Sequence, residues 1–598
     1  MQLSTAEKIA KLRRFMKSDS ITWLFVPDAD PHQSEYVAEH FQFREYLSGF
    51  TGSNGVLLFS QDTAILWTDG RYFVQAGLEL EGSGIELYKM GLPGVPTVEE
   101  FLMKNLSQGE TLAFDGRLLS GKEGHRFRNI AKKKGAVLMA DADAARELWQ
   151  DRPPLPANPV FLLPDSITGK SAEKKLSHLR EIMKEKGCGA YLTARLDAIM
   201  WLLNLRGGDV ECNPVALAYF FMTDQERYLF LQEKELSREV RMVLETISVK
   251  VCPYEGIYDL MKTTPLPGKV LTDLRCINFS LLQLLEERGD FLYAEDPVNL
   301  EKCVKNETEL EKIREYYLLD SVAVFRFMYW VKHHPKDLTE LSAAAKMDAL
   351  RAEIPGFIGL SFPTISAYGK NAAIVHYEAS PDSCAVCEEK SVLLVDSGGQ
   401  YMGATTDVTR TYVLGPIADA CKKHYTLVLA GCLRLGNLKF MKGATGVNLD
   451  IIARAPLWAE GIDFKHGTGH GIGAMLNVHE GPASIRPRAS TEGKDAVLQA
   501  GMILSDEPGV YLEGEYGIRL ENICEILPDE KTDHGEFLRM RFLTWVPFDP
   551  DAIDPNWLTA EDRRLLNEYH RQVYEKLSPH LTEEERAWLS EITVDKTY

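Results

Sequence analysis

One arrangement of segments occurs twice in the first half of the chain, and it restricts the fold more than any single motif does. Each copy opens on an amphipathic helix, at about 5–18 and again at about 171–187. A short apolar strand follows, ITWLFVP at 21–27 and GAYLTAR at 189–195. Glycine-interrupted stretches with further strands come next, LSGFTGSNGVLLFS with AILWTDGRYF in the first copy and LLNLRGGDVECNPVALAYFFMT with RYLFLQ in the second. Alternating strands and helices imply an α/β unit, and two in tandem imply a duplicated domain, although residue identity between the copies is low. The proline-rich QDRPPLPANPVFLLP at 150–164 is the linker between them. A third region begins near 304, where Asn306 and Glu309 cap the long helix ETELEKIREYYLLDSVAVFRFMYWV, and the tail is helical by its periodicity. The expected domains are therefore 1–155, 156–303 and 304–598, in line with the roughly three or four that such a length suggests.

Bulk properties narrow the partners. A net charge of −20 argues against nucleic acid or an anionic membrane as the main partner. The opening MQLSTAEKIAKLRRFMKS lacks the apolar core and cleavage site of a signal peptide, and Ser4 with Glu7 is expected to form a capping box there. No apolar run is long enough to span a bilayer. Ten scattered cysteines suit a reducing compartment, so a cytoplasmic location is expected. Cys384 and Cys387 have C-x-x-C spacing, but no second pair completes a zinc site, and the charged CAVCEEK reads as a surface turn.

The chemistry lies in the third region. In FKHGTGHGIG, residues 464–473, His466 and His470 stand four apart among four alternating glycines. Each glycine would cost about 1 kcal/mol in a helix interior, so the stretch is strand or loop with backbone close to something. Asp396 ends a continuous apolar run in SVLLVDSGGQYMGATTDVTRTYVLG, and Asp407 sits in the strand expected to pair with that run. An acid at the end of a buried run is costly unless it is paired or bound to a metal. Glu507 follows another apolar segment in ILSDEPGVYL. In YGIRLENICEIL, alternation places Arg519, Glu521, Ile523 and Glu525 on one face, with Glu525 expected to be solvated. Four carboxylates cannot converge without counter-charge, and two divalent cations supply it. Oxygen-rich ligation suits Mn²⁺ or a similarly hard ion; Zn²⁺ and Co²⁺ are alternatives. Two such ions sharing a water would lower its pKa and make a bridging hydroxide available.

The order D-x₁₀-D, H-G-T-G-H-G, D-E-P-G and R-L-E-N resembles the pita-bread metallopeptidases, which include methionine aminopeptidase, prolidase and Xaa-Pro aminopeptidase. Two α/β domains ahead of the catalytic one, with SGFTGSNG and WTDGRYF in the first, narrow the resemblance to the three-domain cytosolic Xaa-Pro aminopeptidases. The resemblance implies two creatinase-like α/β N-terminal domains followed by a pita-bread catalytic domain. It implies that Asp396 chelates one ion, that His470 and Glu507 hold the other, and that Asp407 and Glu521 bridge both. It makes Arg519 a carboxylate-orienting residue, and His376, His466 and His479 histidines that stabilise the oxyanion or move protons. Trp458 in APLWAEGIDF matches an interface tryptophan of the family's cytosolic enzymes, which implies a homodimer through the catalytic domain; the competing reading is a core tryptophan. The implied substrates are short peptides with proline in second position. Prolidase uses the same metals on dipeptides and typically has a single N-terminal domain. Creatinase and the histone-chaperone scaffolds of this fold lack ligands that are all present here.

Overall fold

The structure, a computed structural model, describes residues 3–333, 337–381, 383–490 and 494–594. By contact density the chain divides into two compact units, 1–164 with 170–298, and 165–169 with 299–598.

The first unit contains two six-stranded sheets of the same plan. In space, the first sheet runs Glu86–Lys89, Ala64–Thr68, Val56–Phe59, Trp23–Val26, Thr111–Ala113, Val137–Met139. The second runs Val249–Pro253, Arg227–Leu231, Tyr219–Thr223, Ala190–Thr193, Val270–Thr272, Phe291–Tyr293. In each sheet the first strand of the copy pairs antiparallel with its second strand and parallel with its fifth. The helices expected to open the copies are Thr5–Ser18, with the Ser4–Glu7 capping box formed, and Ala172–Glu185, capped by Ser171. Duplication is thus visible in strand order and direction even where side chains have diverged.

The second unit opens on Glu307–Lys332, capped reciprocally by Asn306 and Glu309. Its site-bearing sheets are antiparallel. One consists of Ile365–Tyr368, Val392–Ser397 and Val408–Val413. A larger one runs Lys439–Met441, Gly535–Phe542, Asn522–Thr532, Ile503–Asp506, Gly469–Gly471, Glu480–Ile485. Gly509–Leu512 and Tyr516–Arg519 form a separate hairpin. One apolar core joins these sheets to the helices Glu307–Lys332, Asp419–Gly436, Gly446–Trp458 and Ala560–Leu577. Among the described residues, no helix is long and apolar enough to cross a membrane.

Candidate metal centre

Each candidate acid sits where a strand ends or changes sheet. Asp396 lies near the end of Val392–Ser397, opposite Thr409, and Asp407 immediately precedes Val408–Val413. Glu507 follows Ile503–Asp506 directly. Glu521 occupies the short break between Tyr516–Arg519 and Asn522–Thr532. His470 is the middle residue of Gly469–Gly471. The flanking glycines explain why histidine and glycine alternate here. A Cβ on Gly469 would lie 2.0 Å from the Ser505 carbonyl oxygen, and one on Gly471 would lie 2.2 Å from that of Glu480. Only a bare backbone lets this strand approach both neighbours while His470 projects between the acids.

Three sets of donor atoms lie within 4.8 Å of one another: Asp396, Asp407 and Glu521; His470, Glu507 and Glu521; Asp407, His470 and His479. Asp407 and Glu521 each belong to two sets. His470 Nε2 is 3.6 Å from Asp407 Oδ2 and 3.4 Å from Glu507 Oε1. Its Nδ1 is 3.0 Å from the Gly471 carbonyl oxygen, which can only accept, so Nδ1 donates to it and Nε2 is the ring nitrogen turned toward the carboxylates.

The electrostatics are those of a site built for cations. Burial, and then the charges of Glu521 and Asp396, push Asp407 well above the usual carboxylate range. Burial followed by Asp396 and Glu507 does the same to Glu521. Burial raises Glu507 to about 7, against the opposing pull of Arg519. Asp396 Oδ1 and Glu521 Oε1 are buried with no hydrogen-bond partner. Oxygen atoms left unmet in this way, in a set of four carboxylates and one imidazole, fit a pair of hard divalent ions.

Arg519 anchors the cluster. Its Nη2 donates to Asp396 Oδ2 at 2.6 Å, its Nε donates to the same oxygen and to Thr409 Oγ1 at 3.2 Å each, and its Nη1 donates to the Tyr511 hydroxyl at 2.9 Å. Thr409 Oγ1 in turn donates to Glu521 Oε2 at 2.9 Å. Tyr511 escapes the sequence reading, since a tyrosine in a short strand carries no local signal. Its hydroxyl, 2.8 Å from His466 Nε2, donates to that nitrogen, while His466 Nδ1 is 2.7 Å from the Gly467 carbonyl. Burial, then the Arg519 charge, lowers His466 to about 3, so its ring is neutral with both nitrogens engaged.

The His479 ring stands perpendicular to that of His470, centroids 4.4 Å apart. His376 lies three residues past the short helix Gly369–Ala373, which packs against the Arg519 strand so closely that a Cβ on Gly517 would lie 1.7 Å from the Ala372 carbonyl oxygen. Trp458 ends the helix Gly446–Trp458, 48% exposed, its indole N–H donating to Asp463 at 2.9 Å, and so is not a core residue. Cys384 and Cys387 are thiols outside any disulfide.

One expectation is corrected. Glu525 is not solvated; it is fully buried, held by Arg314 at 2.6 and 3.0 Å and by Arg541 at 2.6 Å. Arg519 ends one strand and Glu521 lies just before the next, and the Arg519 guanidinium turns to Asp396.

Residues 311–528 match metallopeptidase family M24, and 536–595 match the C-terminal region of that peptidase. Residues 8–147 and 151–309 each match a creatinase/prolidase N-terminal domain. The chain belongs to metallopeptidase family M24, with two creatinase-type α/β domains ahead of the peptidase domain. Within that family it falls among the Xaa-Pro aminopeptidases. It is 39% identical to a probable Xaa-Pro aminopeptidase P of Pyricularia oryzae over 99% of both chains. It is 36% identical to Xaa-Pro aminopeptidase 1 of Dictyostelium discoideum, over 97% of this chain and 94% of the relative. An X-prolyl aminopeptidase from Caenorhabditis elegans, described as a cytosolic enzyme with a di-nuclear active site, superposes with a TM-score of 0.94 at 34% identity, over 99% of each chain.

Proposed function

We propose that this chain is a metal-dependent aminopeptidase that hydrolyses the bond between an N-terminal residue and a following proline. The observation that carries this reading is the convergence of Asp396, Asp407, His470, Glu507 and Glu521, with two buried carboxylate oxygens left for cations, in a chain matching X-prolyl aminopeptidases along nearly its whole length. Asp396 is assigned to one ion, His470 and Glu507 to the other. Asp407 and Glu521 are assigned to both: Glu521 shares one donor set with Asp396 and another with His470 and Glu507, and Asp407 shares one with Asp396 and another with His470. Divalent ions bound there would polarise the scissile carbonyl and bring the pKa of a water toward neutrality.

The remaining steps belong to side chains. Arg519 fixes one Asp396 oxygen and leaves the other for the metal. Tyr511 and His466 hold the Arg519 guanidinium in turn, through hydrogen bonds of 2.9 and 2.8 Å. The leaving group is an imide nitrogen with no N–H of its own, so a proton must be delivered to it. His479, against His470, and His376 are assigned that delivery and the oxyanion contact. The free amine of the first residue would be taken up beside Asp396, so blocked peptides are expected to be inert.

Mn²⁺ is the assigned metal, on the strength of four carboxylates against one imidazole. The homodimer, with Trp458 at its interface, and the cytoplasmic location are likewise proposals, the latter supported by the cytosolic C. elegans relative. The test is arginine release from Arg-Pro-Pro and from Arg-Ala-Ala, each free and acetylated, after reloading stripped protein with Mn²⁺, Zn²⁺ or Co²⁺ singly. Release from free Arg-Pro-Pro alone supports the reading; preferential cleavage of the dipeptide Ala-Pro would assign a prolidase instead.

A further inference from the structure

Arg410, on Val408–Val413, is 1% exposed, and none of its hydrogen bonds goes to a carboxylate. Its guanidinium donates to the carbonyl oxygens of Thr409 (2.9 Å), Glu521 (2.6 Å), Val546 (2.8 Å) and Pro547 (3.3 Å), to Asn522 Oδ1 (2.7 Å) and to the Tyr569 hydroxyl (3.1 Å). A buried cation without a direct counter-ion is expensive. Here the expense falls at the point where the chain breaks between two strands to present Glu521. The adjoining Thr409 takes hold of the same residue twice, its carbonyl accepting from the Glu521 N–H at 3.0 Å and its hydroxyl donating to Glu521 Oε2. Asp407 stands three residues before Arg410 on the same run of chain. Thr409 and Arg410 therefore set the spacing between Asp407 and Glu521, the two acids assigned to both ions.

The far side of this brace comes from the C-terminal helix Ala560–Leu577. The fully buried Tyr569 hydroxyl accepts from Arg410 and is 2.8 Å from the Val546 carbonyl, to which it donates. It also lies 3.3 Å from Asn522 Oδ1, beside Glu521. We propose that Arg410 and Tyr569 are positioning residues for Glu521, so that the C-terminal helix is a working part of the metal centre and not only a cover for the core. This rests on the metal-site assignment above.

The test titrates Mn²⁺ into chelator-stripped full-length protein by calorimetry, alongside the Tm of the stripped form and KM and kcat of the reloaded one. Tyr569→Phe keeps the ring and removes the hydroxyl; Arg410→Lys keeps the charge and removes the fork. Both are expected to weaken the more weakly held Mn²⁺ by about tenfold, the order seen when groups that orient ligands are lost. KM is expected to stay near wild type while kcat at limiting Mn²⁺ falls, with recovery at excess Mn²⁺. Unchanged Mn²⁺ affinity with only a lowered Tm in both variants would overturn the proposal and leave a purely structural brace. Asp407→Asn separates the two levels of the argument. If it binds Mn²⁺ as wild type does, the metal-site assignment fails and takes this inference with it; if it loses Mn²⁺ while Tyr569→Phe and Arg410→Lys keep normal affinity, only the brace is refuted.

Discussion

Asp407 concentrates the demands on the site: it is buried, near three other acids, and belongs to two of the three donor sets. Asp407→Asn keeps shape and removes a charge shared by both ions, so nearly all activity should disappear together with at least one metal. Full activity of metal-stripped wild-type protein would refute the two-metal basis of this prediction. The histidines divide differently. His466 is neutral above about pH 3 with both ring nitrogens engaged, which suits it to holding Tyr511. His479 and His376 are the residues assigned to protons. His479→Ala and His376→Ala should each lower kcat by roughly 10²–10⁴ with both metals retained, read by elemental analysis beside steady-state kinetics. Metal loss in His479→Ala would instead make the Asp407–His470–His479 set a ligand set.

At the level of strands and helices, what sequence could show was local. Asp396, Glu507 and His470 break apolar or glycine patterns within a few residues of themselves, and the capped helices at 5, 172 and 307 announce their own starts. Glu525 is not solvated because the strand Asn522–Thr532 is buried on both faces through Ile526, and the Arg314 and Arg541 that neutralise its carboxylate are 211 and 16 residues away in sequence. Long-range braces leave no local trace. Arg410 meets Tyr569 across 159 residues. Asp320 receives Arg351, Tyr401 and Thr406, and Arg351 also reaches the Ser397 carbonyl, fixing both ends of the turn between Asp396 and Asp407. Glu235, at the end of the short helix Glu233–Glu235, is another residue that sequence could not flag. Burial and then the Asp209 charge raise it from 4.5 to about 9. Between those two values the native state holds a proton that the unfolded chain releases, so stability falls as pH rises through the window. Glu235→Gln removes that slope: against wild type its unfolding free energy from urea titration should be similar near pH 4.5 and clearly higher at pH 8, by up to about 1.4 kcal/mol per pH unit crossed. Parallel profiles for the two proteins would show that Glu235 ionises normally.

For the whole molecule, the question is what the exposed end of the helix Gly446–Trp458 faces in solution. Trp458 is half exposed at the helix terminus, and Ile451, two turns earlier and on the same face, is 42% exposed. Large aromatic side chains contribute most to interfaces when fully desolvated there, and a ring so placed on a single chain is available for that burial. The same helix carries Arg454, whose guanidinium binds Asp450, Asp463 and the carbonyls of Phe464 and His466, so the surface bearing Trp458 is tied to the segment that leads to His470. Trp458→Glu puts a charge where a dimer would require an apolar ring, at a helix end where the single chain leaves about half of that ring in solvent. The expected product is a folded monomer by light scattering, with a Tm within a few degrees of wild type after allowance for the concentration dependence that a dimer adds. Its metal content should be unchanged, since Arg454 keeps Asp450 and the carbonyls of Phe464 and His466 even where the Asp463 oxygen that it shares with the indole shifts. An intact dimer would refute the interface assignment, and a monomeric wild type would remove the dimer altogether. A Trp458→Glu chain that unfolds would show that the indole–Asp463 hydrogen bond stabilises the helix end more than its exposure implies.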